Sequence, residues 1–457
     1  MRVPPRTLAA AALAASLVAP ALARADEPIT DPMLAPATPA PRAVGSWQEA
    51  LLLVREKSTD LRSAEANITR AEAQWRTALA ALLPQINATG TGTQNLITNP
   101  AYTLDTSGQL VPTGKRTPTG DPYLSITGVL VQPVIAPRAW WALGTANANE
   151  RTAKLTLADT KRNVALGVAN AMVSVVTAER VAELNRVGLK NALERWDYTR
   201  RRQAGGASTG LDTVRALQDV EAARATLVQG DETLRQAREA LGLALGIPAQ
   251  IGVAPSLDAR SLEDGARALC RPVDGVEQRT DVAVARQQVE VAKRTLTDAK
   301  LQFSPTLSAQ STLASTTLDT GLFGPPNTTW NIQGVLQIPI WDGGARYGAL
   351  KDAGAQIDLA EQRLEATRRG ASVQVTQALR AIEVAEQARV VAASGRDLAA
   401  EVDRLVRKGF EQGAGTSLEL VVAAGSLRQA EIALALKEFD LLRAKIAAAL
   451  AVSNCDY

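Results

Sequence analysis

From Pro137 to Gln203 the chain runs for roughly 65 residues without a further proline, in a pattern that only a helix satisfies. At 1.5 Å per residue such a helix is about 100 Å long. No ordinary globular domain contains a helix of that length. It must lie against other long helices in a coiled-coil-like assembly. Residues 345–411 repeat the situation.

The two long helices belong to a duplication. Thr59-Asp60-Leu61 aligns with Thr280-Asp281-Val282, and Leu83-Pro84-Gln85-Ile86 with Ser304-Pro305-Thr306-Leu307, both at an offset of 221. Further on, Gln132-Pro133-Val134 matches Ile338-Pro339-Ile340 at 206, and the helix break Gly206–Asp212 matches Gly413–Glu419 at 207. The shift is an indel of about 15 residues between the paired strands, where a hairpin loop belongs. Each copy reads helix, strand, loop, strand, long helix, turn, helix.

The copies cover 46–246 and 276–451, with a Pro/Gly/Asp-containing connector at 247–275 and a tail at 452–457. In the first copy a continuous helix is expected from Ser46, a capping-box start with Glu49, to Leu83. Strands follow at about 86–94 and 123–135, separated by loop-like residues 95–122, and the helical tip is 204–212. In the second copy the strands are expected at about 306–316 and 331–340 and the tip at 411–419. Asn87, Thr89, Thr91 and Thr93 alternate, as on one wet face of a strand. Pro28, Pro32, Pro36, Pro39 and Pro41 make 26–45 an extended or disordered leader.

Arg2 and Arg6 precede the apolar run Leu8–Val18, and Ala23-Arg24-Ala25 is a small-x-small cleavage signal. Residues 1–25 therefore read as a secretory signal peptide, with the mature chain expected to start near Asp26 and to lack a lipid-attachment cysteine. The formal net charge of +3 falls to 0 once the three arginines of 1–25 are removed, so nothing points to nucleic acid. There is no histidine, the commonest general base and metal ligand, and no catalytic motif, so neither an enzyme, a cofactor nor a metal site is expected. Cys270 and Cys455 are too few for a disulfide framework, although an exported compartment permits one bridge between them. No transmembrane helix is expected.

Four strands per chain are too few to close a membrane barrel, whose smallest members have about eight. Their edges need partners, because lipid satisfies no backbone group, so the chain must oligomerise around an axis. Nine of the sixteen aromatics lie within 102–141 or 303–347: Tyr102, Tyr123, Trp140, Trp141, Phe303, Phe323, Trp330, Trp341 and Tyr347. Trp140, Trp141, Phe303 and Trp341 fall at strand–helix junctions, where an interfacial girdle belongs. Pro84, Pro133, Pro305 and Pro339 mark the same joints, redirecting the chain.

In the order of its elements, in Pro339-Ile340-Trp341-Asp342-Gly343-Gly344 at a strand exit and in the paired helix breaks, the chain resembles the TolC-like outer membrane factors. The resemblance covers essentially the whole mature chain. It implies a mainly α chain with a membrane β-barrel: a homotrimer whose three sets of four strands close a twelve-stranded barrel in the outer-membrane lipid of a Gram-negative bacterium. The helices would form a periplasmic tunnel, and the connector and chain ends a belt around it. Cys270 and Cys455 are both expected in that belt.

The resemblance also implies roles for the tips. Gly206, Ala207, Ser208, Thr209, Gly413, Ala414, Gly415 and Thr416 would meet the hairpin of a periplasmic adaptor, itself coupled to an inner-membrane transporter. Glu419 matches a position where the family can place an acidic ring at the inner mouth, and Asp212 is its first-repeat counterpart. Val422 stands where a second acid can occur, so a double ring is not expected. Arg202 and Arg407, just before the tips, are candidates for closing salt bridges. The implied function is the exit duct of a tripartite efflux pump. A type I protein-secretion channel and a non-pore periplasmic coiled-coil protein are the alternatives.

Overall fold

The computed structural model describes residues 31–255, 257, 261, 264–265, 268, 270–318, 327–455 and 457. The expected signal peptide, its cleavage site and Phe323 lie outside them. The helices are α1 (Trp47–Lys57), α2 (Thr59–Ala80), α3 (Pro137–Ala204), α4 (Gly210–Ala244), α5 (Thr280–Leu301), α6 (Ala345–Glu411) and α7 (Ser417–Ala451). The strands are β1 (Arg42–Val44), β2 (Gln85–Thr93), β3 (Asn99–Leu104), β4 (Leu110–Thr117), β5 (Tyr123–Ile135), β6 (Ile251–Val253), β7 (Cys270–Pro272), β8 (Thr306–Thr316), β9 (Thr328–Gln337) and β10 (Ser453–Cys455).

The first helix is not continuous. Ser58 is extended, and its hydroxyl accepts from the Leu61 amide, so it ends α1 and caps α2. The 68-residue α3 and 67-residue α6 have the expected lengths. Within α3 one 18-residue window reaches a mean hydropathy of 1.4, enough by composition for a membrane span, but that helix packs against α2, α4, α5 and α7.

The membrane sheet runs β2-β5-β8-β9, antiparallel throughout. Its register sorts the side chains. One face carries Ile86, Leu130, Ser311 and Ile332 in one row and Leu313 beside Trp330 in another. The opposite face carries Asn87, Val129, Thr312 and Asn331, with Thr89, Thr127, Gln310 and Gln333 nearby. None of the four strands contains a charged residue. Apolar residues on one face and neutral polar residues on the other make a lipid side and a water side.

Two readings of this region need correction. Residues 95–122 contain the β3–β4 hairpin rather than a loop alone. Its turn is built by Asp105, whose Oδ1 accepts from the Ser107 amide and hydroxyl and the Gln109 amide, with Gly108 left-handed at φ 79°. Pro133 lies inside β5, opposite Ser308, at a register shift before Ile135. It is tolerated there because pairing with β2 stops at Val131, so no β2 carbonyl awaits its missing N–H.

The main apolar core sits at mid-height. Trp47, Leu51 and Val54 pack there with Met172 and Val173 of α3, Leu241, Leu245, Ile251, Val253 and Ile446. β1 pairs with β6, and β10 with β7. Cys270 and Cys455 sit opposite each other in the latter pair and are disulfide-bonded, with Cα atoms 4.1 Å apart. The described part of the leader is not disordered. Asp31 pairs with Arg224, Met33 and Leu34 pack against the Leu189–Leu227 cluster, and the segment lies along α3 and α4 up to β1.

Candidate functional site: joints and tips

β5 and β9 each run on into a long helix, and the β9–α6 turn shows how. Gly343 and Gly344 both take positive φ, 71° and 92°, which a side chain would resist. Asp342 Oδ1 accepts from the Gly344 amide, and its Oδ2 accepts from the Arg346 amide at 3.1 Å and from Arg346 Nε at 2.8 Å. Arg346 is 8 % exposed; its Nη1 donates to the Pro339 carbonyl and its guanidinium stacks 4.9 Å from the Phe303 ring. Sequence reading found the turn and missed the arginine that closes it. The signal was there: Asp342 and Arg346 are four apart across a helix start.

The junction aromatics divide. Trp140 and Trp341 are 52 % and 75 % exposed. Trp141 instead donates from Nε1 to the Arg294 carbonyl and lies under the Arg294 guanidinium. Phe303 packs edge-on against Tyr347 at 5.3 Å. The latter two pack against neighbouring helices of their own chain. Trp330, 73 % exposed on the apolar face, lies near the opposite end of the sheet and donates to Ser311 Oγ. Pro84 and Pro305 stand one residue before β2 and β8, and Pro339 two residues after β9.

At the tips the two repeats solve one problem alike. Gly206 and Gly413 take φ 73° and 80°, and the following amides, of Ala207 and Ala414, return to the Arg202 and Gly409 carbonyls. Thr209 and Thr416 cap α4 and α7 in full capping boxes with Asp212 and Glu419. A Cβ on Gly415 would lie 3.0 Å from the Phe410 nitrogen, so the second turn would have to give by a few tenths of an ångström to admit one.

The two acids are not equivalent. Asp212 Oδ2 accepts from the Thr209 amide and hydroxyl and from Ser208, while its Oδ1 accepts from the Ser417 hydroxyl on the other tip. The Ser417 hydroxyl first, then the Thr209 hydroxyl and amide, hold the Asp212 carboxyl well below the usual carboxylate range. Glu419 accepts from the Thr416 amide and has no further hydrogen bond or ion pair among the described residues. Among the described residues Arg202 makes no carboxylate pair. It donates to the Phe410 carbonyl at 3.1 Å, with its guanidinium 4.8 Å from the Phe410 ring and 5.8 Å from that of Tyr198. Arg407 pairs at 3.0 Å with Asp403 on its own helix. The tips are thus joined within one chain by Asp212–Ser417 and Arg202–Phe410. Ser417, Phe410 and Tyr198 were not singled out as gate residues, because nothing in the linear pattern shows which α3 residue meets which α6 residue.

The model of the family described as outer membrane efflux protein matches residues 51–247 and 273–452, most of the chain and both repeats. This chain belongs to the outer membrane efflux protein family. Among curated members it is 27 % identical over 386 residues to the probable efflux pump outer membrane protein TtgC of Pseudomonas putida, covering 82 % of this chain and 76 % of that one. It is 25 % identical to the outer membrane protein OprJ of Pseudomonas aeruginosa, covering 83 % and 78 %. The crystal structure of the outer membrane protein VceC from Vibrio cholerae superposes with a TM-score of 0.71 at 17 % identity, over 90 % of this chain and 96 % of that one. This outer membrane efflux protein is a duct, with its sheet in the outer membrane and its helices extending into the periplasm.

Proposed function

We propose that three copies close a twelve-stranded barrel and a helical tunnel that carries small molecules outward, loaded by a periplasmic adaptor and an inner-membrane transporter. The observation that carries this reading is the pair of sheet edges. Among the described residues β2 and β9 are each unpaired on their outer side, and they run antiparallel to one another. A head-to-tail contact of β9 with the next copy's β2 keeps every neighbour antiparallel and closes a ring. Two copies would give about eight strands, an interior just wide enough for side chains. Three leave a lumen.

The helices support the same contact. Val384, Val391, Leu398 and Leu405 of α6 recur every seven residues and are each more than half exposed. That seam needs a neighbouring helix. Small-molecule cargo is favoured over protein because relatives are named for toluene and antibiotic efflux. The tips Gly206–Thr209 and Gly413–Thr416 are the adaptor contact in this reading, and Glu419 and Asp212 face the inner mouth.

Purified chain in detergent should migrate as a heat-modifiable trimer and conduct in planar bilayers. Proline substitutions at the adjacent positions Asn331 and Ile332 test the edge, since one of two neighbouring amides must point away from β8. Both variants should lose trimer; an intact trimer from both would refute closure through β9.

A further inference from the structure

The helix pairs α3–α4 and α6–α7 are copies of each other at an offset of 207, so the surroundings of one are a guide to those of the other. On α6–α7, Arg396, Glu431, Leu434 and Glu438 line a groove. Its far wall is Arg180 and Leu184 of α3, the long helix of the other repeat. One pair's groove is therefore closed on its flank by the long helix of the unit beside it.

Shifted back by 207, the same groove positions are Leu189, Arg224, Leu227 and Asp231. This groove holds the leader. Arg224 binds Asp31 at 2.7 Å, and Arg186, held by Asp231, donates from Nε to the Ala35 carbonyl at 2.9 Å. Arg238 donates to the Thr38 carbonyl at 2.7 Å, and Met33 and Leu34 pack against the cluster of Leu189, Leu193 and Leu227. The leader is pinned from beneath, yet Pro32, Ala35 and Pro36 remain exposed. Around a ring of repeats, the unit that walls this groove is a second copy. Shifted forward by 207, Arg180 becomes Gln387 and Leu184 becomes Val391, both on α6. Val391 is 71 % exposed and belongs to the heptad seam of that helix.

We propose that the leader is an interchain strap: residues 31–38 of one copy lie between their own α3–α4 pair and the next copy's α6. This rests on the trimeric reading above. Direction fixes which residues meet. α3 and α7 run oppositely, so in the α6–α7 groove Glu431 stands at the height of Leu184 and Glu438 at that of Arg180. By the offset, the Asp31 end of the leader, beside Arg224, falls at the next copy's Val391, and the Ala35 end, beside Asp231, at its Gln387. The contact is apolar, Pro32 and Met33 against a valine otherwise left in water, and an extended proline-rich segment loses little entropy in making it. Three straps then tie the tunnel together between the tips and the belt.

The test is cross-linking of the full chain carrying Pro32→Cys with Val391→Cys, treated as folded, conducting trimers with a short bismaleimide. The native cysteines do not compete, because they are bonded to each other and buried. Covalent dimers and trimers should appear on denaturing gels, and neither single-cysteine variant should give them. Monomer-sized product alone, or no cross-link, overturns the strap. Deleting residues 31–38, which leaves β1 in place, should lower the heat-dissociation temperature of the trimer while the helical content of the chain stays at the parent's value. A deletion trimer as heat-stable as the parent also overturns it. Absence of a trimer from the unmutated chain would instead mark failure of the underlying trimeric reading.

Discussion

The Ser417 hydroxyl donates to Asp212 Oδ1, and the hydrogen bond crosses from the start of α7 to the start of α4. The carboxylate that caps one tip therefore also fixes where the other tip stands. Ser417→Ala removes only the crossing bond and leaves both capping boxes intact. At this part-buried contact about 1 kcal/mol is at stake, roughly fivefold in an equilibrium between closed and open tips. Single-channel recordings should show a matching rise in open probability. An unchanged open probability would mean that the tips move as one body.

Acid should loosen the same contact. The folded Asp212 carboxyl is held below its unfolded value near 3.8, so its contribution is complete above that value and is lost as pH falls through the lower, folded one. Asp281 follows the same rule at mid-height, where burial raises its carboxyl but Arg279 and Arg162 lower it further. Conductance should be flat from neutral pH to about 5 and rise only in stronger acid. A transition near pH 6–7 would contradict this, and the chain has no histidine to supply one.

Arg346 should matter more than its neighbours at the barrel exit. Arg346→Ala strips a buried guanidinium from Asp342, the Pro339 carbonyl and the Phe303 ring, a loss of about 2–3 kcal/mol. Lysine should not rescue it, since one ammonium cannot replace the fork and the stack. The heat-dissociation temperature of the trimer reports the effect, and a wild-type value for either variant would exclude it.

Replacing Cys270 and Cys455 by serine should lower stability by about 2–4 kcal/mol, because the bridge closes a span of 185 residues. Reductant should do the same to the unmutated chain in denaturant and do nothing further to the variant. Bilayer conductance of folded trimers should be unaffected.

The helices, their breaks and the inner strands were legible in the linear chain because period, proline and glycine are local signals. The duplication added what no single stretch shows: that Gly206 and Gly413 do one job. The β3–β4 hairpin was hidden by its glycine and proline content, although Tyr102-Thr103-Leu104 alternates just before the Asp105 turn. The Ser58 break was overridden by the helical pattern on both sides. Arg202 illustrates the limit of pattern reading. Its position near the gate follows from sequence, but its partners, Phe410 and Tyr198, depend on how two helices about 200 residues apart are rotated against each other.

The uncharged strands have a consequence for how such a duct can change its cargo. A wall of Thr, Asn, Gln and Ser hydroxyls and amides offers cations, anions and zwitterions the same weak welcome. Sorting then has to happen before a molecule reaches the membrane. On the proposed reading, new cargo is admitted by altering the proteins that load the duct, and the span that crosses the outer membrane can stay as it is.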